Sequence, residues 1–168
     1  MSCFCIKGVY DFNIKVIDTY TLIYEDLSLW MQDSNYIIPT TYNVKMILPD
    51  ESYIYFDANP LNSTILRASD LGLSKFKDGI YCFLLEALNE ESGACGVEKY
   101  KNTGIFPNIR CCIDSAYSTS DKKDDIKEVD SFLKDAEFSA SLGKKEESYT
   151  RYVQAKRLLE RLNCNCTC

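Results

Sequence analysis

Cysteine is the residue here whose type and spacing come closest to a chemistry. Cys164, Cys166 and Cys168 alternate in "CNCTC", and Cys3 and Cys5 form a second C-x-C in "CFC". Soft thiolates of this kind bind Zn or Cu(I). C-x-C, however, is not the C-x₂₋₄-C knuckle that wraps structural zinc, and no residue pattern brings the two ends together. The chain holds nine cysteines, an odd number. "MSCFCIKGVYDFN" lacks a signal peptide's charged start, apolar centre and small-residue cleavage site, so reduced thiols are the default expectation. Residues 164–168 therefore read as an unligated tail past the last helix, with a disulfide formed after release into oxidising surroundings as the alternative. Cys82, inside "IYCFLLEAL", reads as a small buried hydrophobe. Cys111 and Cys112 are adjacent, and on a strand they would face opposite sides.

The other classes of site are thinly represented. Histidine is absent, which excludes Ser-His-Asp and Cys-His catalysis. The seven glycines are scattered and write neither a P-loop nor a dinucleotide fingerprint. A carboxylate pair or a lysine base remains open, but the acidic residues fall mostly in turns and on helix faces. The formal charge of −6, from 25 acidic and 19 basic side chains, argues against a general phosphate-binding surface. No apolar run approaches the ~20 residues of a membrane span. These features assign no catalytic, cofactor-binding or metal-ligating residue and no cofactor, and they point to a non-enzyme that works by its surfaces.

The elements that must carry those surfaces are legible as periods. At 168 residues and 46% hydrophobic, the chain can bury one substantial core. In "YDFNIKVID", Tyr10, Phe12, Ile14 and Val16 share one face of a strand. "TLIYED" and "LSLWMQ" read as two shorter strands. "TYNVKMIL" and "SYIYFDA" flank "PDE" as a hairpin, with Tyr42, Val44, Met46 and Leu48 alternating. "STILRAS" is a short strand, and Asp78-Gly79 introduces, through a hairpin, a central strand in "KDGIYCFLLEAL". "NEESGACGVEKYKNTG" reads as a loop and "FPNIRCCIDSAYS" as a closing strand. Short strands with polar turns every ~10–15 residues predict an antiparallel sandwich or barrel.

Past residue 120 the period becomes helical. Ser120 or Asp121 is the candidate N-cap of a helix whose stripe is Ile126, Val129, Leu133, Ala136 and Ala140, stopped by Gly143. A second helix follows with Tyr149, Tyr152, Val153, Leu159 and Leu162 on one side. Its tyrosines suggest an interface, but packing of the helices on each other and on the sheet is the simpler reading. Lys156, Arg157 and Arg161 sit late in this helix, where cations complement the dipole. The expected class is α+β, an antiparallel β-sandwich or barrel body followed by a C-terminal antiparallel helical hairpin. Its divisions are a β-rich body over 1–119, an αα-hairpin over 120–163 and a cysteine-containing tail over 164–168.

The combination of "FKDGIYCF", the helical "FLKDAEFSASLGKKEESYTRYVQAKRLLERL" and the terminal "NCNC" resembles small virion structural proteins of tailed bacteriophages, especially the crAss-like group infecting gut bacteria. The resemblance implies a head-to-tail ring or connector protein, assembled in the host cytoplasm and located in the virion neck or tail. It implies a homo-oligomeric ring around the DNA channel, with the portal and neighbouring ring or tail proteins as partners, no specific nucleic-acid sequence recognition and no membrane. A capsid-surface or tail-fibre attachment protein, or an adaptor that binds partners through its helical hairpin, is the alternative expectation.

Overall fold

The computed structural model describes residues 8–30, 39–89, 93–162 and 168. The strands are β1 (Gly8–Val9), β2 (Phe12–Val16), β3 (Thr21–Asp26), β4 (Leu29–Trp30), β5 (Thr41–Ile47), β6 (Tyr53–Ala58), β7 (Ser63–Arg67), β8 (Gly79–Asn89) and β9 (Gly93–Ile105), followed by helices α1 (Pro107–Thr119), α2 (Lys123–Ser141) and α3 (Lys145–Arg161). One sheet has the order β2-β3-β7 and the other β6-β5-β8-β9, while β1 and β4 form a short separate ladder. Every pairing is antiparallel. The fold is α+β, a sandwich-like body followed by C-terminal helices.

Alternation builds the sandwich. Phe12 and Ile14 of β2, Leu22 and Tyr24 of β3, Tyr42, Val44 and Met46 of β5, and Tyr81, Phe83 and Leu85 of β8 enter one core between the two sheets. Aromatic rings bridge it: Phe12 stacks on Tyr24 with centroids 5.1 Å apart and meets Phe83 edge-on at 6.0 Å, and Tyr24 meets Phe56 at 6.0 Å. Two polar clips fasten the sheets at their margins. Lys101 Nζ donates to the Phe12 carbonyl at 2.6 Å and to Asp11 at 3.2 Å, and Tyr42 donates its hydroxyl to Asp26 at 2.8 Å.

The β5–β6 hairpin forms around Pro49-Asp50-Glu51 as its sequence predicts, with the Leu48 N–H donating to the Ser52 carbonyl at 2.8 Å. β8 is central, and its apolar run suits burial on both sides: Tyr81 and Phe83 face the sandwich while Ile80 and Cys82 are buried on the reverse.

Four expectations are corrected. The segment expected as a loop holds β9, which follows β8 with a register irregularity between Glu86 and Leu88. The expected closing strand is helix α1: Pro107 occupies its start, and Ile109, Cys112, Ile113 and Ala116 form a buried stripe at 3.6-residue spacing. Asp78-Gly79 turns no hairpin, because β7 pairs with β3 in the opposite sheet and Gly79 already belongs to β8. Finally, Lys122 is the N-cap of α2 and caps it with no side chain; Ser120 instead accepts the Lys122 N–H at 3.1 Å.

The helices form a second layer with its own core. Ile126, Val129, Leu133 and Ala136 of α2 are fully buried there with Ile113 of α1 and Ala155 of α3, and Ala140 is fully buried at the end of the same α2 stripe. Gly143 ends α2 with φ +76°. On α3, Tyr149 and Tyr152 are half-buried and Leu159 is buried, whereas Val153, expected on the same stripe, is exposed. The α2–α3 contact is close because Ala136 and Ala155 are small, and Ser148 donates its hydroxyl to the Ala136 carbonyl at 2.6 Å. α2 also lies against β9 at Gly104, where an added Cβ would stand 3.1 Å from the Ala140 Cβ and 2.8 Å from the Phe106 ring.

Candidate functional site

The seam between sheet and helices holds a carboxylate that accepts three hydrogen bonds from two helices. Asp78, just before β8, accepts the Asn108 N–H at 2.8 Å, the Ile109 N–H at 3.1 Å and the Tyr152 hydroxyl at 3.0 Å. It thereby caps α1 from 30 residues away in sequence, satisfying N–H groups that have no partner inside the helix. Tyr152 stacks on Phe106 with centroids 5.0 Å apart, and the Tyr149 hydroxyl accepts the Ile80 N–H at 3.1 Å. The helical tyrosines are therefore seam residues. Burial pushes the Asp78 carboxyl above the usual aspartate range, opposed by the two N–H bonds and by Tyr152. Burial raises the Tyr152 phenol too, with the Asp78 charge adding to it. A cleft of about 540 Å³ opens beside this seam, walled by Pro49, Asp50, Lys75, Lys77 and Tyr81. Asp78 lies in its wall with both oxygens already accepting bonds, an arrangement suited to holding elements together.

The nearest approach to an acid–base pair lies between α1 and α2. Arg110 donates to Asp130 at 2.5 Å and to Glu137 at 3.4 Å, and Lys134 reaches Asp130 at 3.2 Å. Burial raises Glu137. Burial acts the same way on Asp130, but its bonds to Arg110 and Lys134 hold it below the ordinary range. Two carboxyls with diverging pKa values are what acid–base chemistry needs. Here Arg110 bridges the two carboxyls and Lys134 supplies a second cation at Asp130, and the four side chains read as an ion network that fastens α1 to α2.

The thiols depart from expectation. Cys111 on α1 is disulfide-bonded to Cys168 across 57 residues of sequence, with Cα atoms 6.2 Å apart, and Cys112 is disulfide-bonded as well. The unligated, reduced tail is thus corrected at Cys168. The helix places both adjacent cysteines where bonds can form. Cys82 is a free, buried thiol, as its apolar run predicts. Its environment on the reverse of β8 is polar, however: Cys82 donates to Asn102 at 2.7 Å and accepts from the Tyr100 hydroxyl at 3.1 Å. Among the described residues no three ligating side chains converge on a metal position. The side chains of Cys3, Cys5, Cys95, Cys164 and Cys166 lie outside the described residues.

Ile17, Tyr20 and Ile65 are exposed around the three-stranded sheet, and two further exposed surfaces lie on the four-stranded sheet and the helices. Beyond the part covered by α2, the outer face of the four-stranded sheet carries Tyr53 (57% exposed), Tyr55 (55%) and Tyr100 (54%). The register runs a row Tyr55, Lys45, Leu84, Tyr100 across the four strands. Tyr53 and Tyr55 meet edge-on with centroids 5.6 Å apart, and Lys45 Nζ lies 4.3 Å above the Tyr53 ring. On the helical layer, Phe138 and Leu142 stand exposed one turn apart at the end of α2. Nothing in the sequence singles out the sheet tyrosines, because the outward set of a strand is visible only once its inward set is known. No helix among the described residues is long and apolar enough to cross a membrane. Comparison with protein-family models and with curated proteins finds no match.

Proposed function

We propose that the chain is a non-enzymatic structural subunit of a tailed-phage virion, in the neck or tail between portal and tail, where copies close into a ring around the DNA channel. The observation that carries this reading is the pair of unlike exposed surfaces, the tyrosine-bearing sheet face and the Phe138–Leu142 end of α2. A closed ring requires two different patches that meet head to tail, whereas a twofold dimer requires only one self-complementary patch. Tyrosine on a rigid sheet is a favourable interface residue, because it contributes large amphipathic area at small entropic cost. The charge of −6 also suits a wall that must pass DNA without gripping it.

Native mass spectrometry of the intact chain tests the reading, with negative-stain imaging of any assembly. One closed stoichiometry seen as a ring supports it. An open-ended ladder of sizes, or a monomer that stays monomeric when mixed with portal and neighbouring tail proteins, would sink it. A second reading, an attachment protein on the capsid surface or tail fibre, draws on the same tyrosine face, since aromatic rings on a rigid sheet also suit adhesion to sugar or protein. Monomeric behaviour combined with saturable binding to such a surface would select it.

A further inference from the structure

We propose that the helical layer is a redox-locked element: the Cys111–Cys168 cystine holds α2 and α3 in place once the chain is oxidised, while the β-sandwich folds and stands without it. The inference stands on covalent connectivity and holds whether or not the chain forms a ring. Cys111 and Cys168 enclose all of α2 and α3 between them, so their bond turns the helical layer into a closed covalent loop. Cys112, the next residue on α1, is cross-linked too, giving this one helix turn two covalent attachments. The sandwich has no counterpart among its described residues, where Cys82 is free and buried.

The lock is accessible. Cys111 is half-buried and lines a cleft of about 590 Å³ whose walls include Val16, Pro107, Arg110, Asp114 and Ser118. A small dithiol or disulfide can therefore reach its sulfur from solvent. Oxidation follows thiol–disulfide exchange with a low-molecular-weight disulfide such as oxidised glutathione. One protein thiolate attacks that disulfide and expels a glutathione thiolate; the second protein thiolate then displaces the other glutathione, forming Sγ111–Sγ168. The protein loses two electrons and two protons, and one glutathione disulfide becomes two thiols. In a reducing cytosol the exchange runs the other way, and the helices keep their packing, the Arg110 ion network and the seam bonds at Asp78 and Tyr149.

Hydrogen-exchange mass spectrometry of the full chain, oxidised with glutathione disulfide or reduced with a phosphine, reads the lock directly. A bond closing a loop of this length protects by up to ~1000-fold in the chain-entropy picture, so reduction should speed exchange in α2 and α3 on the order of 10²–10³-fold and leave β5 and β8 within about twofold. Peptide mapping of the oxidised chain should recover Cys111 linked to Cys168. The paired variant Cys111→Ser, Cys168→Ser, which keeps the Cys112 cystine, should exchange faster in α2 and α3 than the oxidised wild type even in oxidant; if it fails to fold, the reduced and oxidised wild type still give the answer. Four results overturn the proposal: free thiols at both positions after oxidation, unchanged exchange in α2 and α3, equal loosening of β5 and β8, or a reduced chain that binds one zinc and keeps its helices protected. Ring formation is read separately by stoichiometry, so a failed lock leaves that question untouched.

Discussion

The sandwich and the helical layer are cored in different materials. Between the sheets, Phe12, Tyr24, Phe56 and Phe83 meet ring to ring and fill the volume with a few large side chains. Between the helices the core is mostly Ile, Val, Leu and Ala, with one aromatic stack of Phe106 on Tyr152 at the seam, and the layer is tied by the Arg110 network, the Asp78 cap and cystines. An aromatic core contributes much apolar area per residue and supports itself. Small side chains allow close approach but bury less, so the helical layer depends on particular bonds. One chain thus combines a body packed ring on ring with a helical layer held by identifiable contacts.

The largest effect is expected where the two regions share a fate. Phe83→Ala should cost about 3–5 kcal/mol by leaving a cavity among the rings, measured by chemical denaturation with separate probes for sheet and helix. If the helices lose structure in the same transition, the body is their foundation; helices that persist after the sheet has melted would show that they stand without it.

A smaller loss, about 2–4 kcal/mol, is expected for Asp78→Ala, which removes the cap of α1 and leaves the Tyr152 hydroxyl without its acceptor. Exchange should rise in the helices and not in β5. This carboxyl also has a distinctive pH signature. Its folded pKa is raised, so its titration favours the fold most below the unfolded value of about 3.9, and that advantage is lost as pH rises through the folded pKa. Comparing wild type with Asp78→Asn from about pH 3 upward should show the wild type's relative stability falling over that window. A relative rise would mean that the N–H bonds outweigh burial.

The smallest effect has the opposite sign. The Tyr24 hydroxyl is buried in the sandwich without a hydrogen-bond partner among the described residues. Tyr24→Phe should therefore raise stability by about 1 kcal/mol. A loss in the denaturation midpoint would show that the hydroxyl contributes more than its desolvation costs.

Much of the body was legible because period 2 is a local signal: Tyr42, Val44 and Met46 alternate, and all three are inward. The stripe from Ile126 to Ala140 was legible for the same reason at period 3.6. β9 was not, because Gly93, Gly96, Asn102 and Gly104 break its pattern, and Gly104 is there to admit a helix rather than to favour a strand. α1 was misread because "IRCCI" is a short apolar run that either period can claim, although Pro107 marks a helix start. The seam was hidden for a different reason. A carboxylate that caps a helix from 30 positions upstream leaves no local mark, and the cystine joins cysteines 57 positions apart.

The bond between Cys111 and Cys168 also changes what it means to cut this chain. The exposed turn at Gly143 and Lys144 lies inside the covalent loop. A protease that nicks there produces two fragments by sequence but one molecule by mass, and the pieces part only when the sulfurs are reduced. Severing the turn frees two new ends without releasing α3, so the loop tolerates a broken backbone that an uncrosslinked helical hairpin would not.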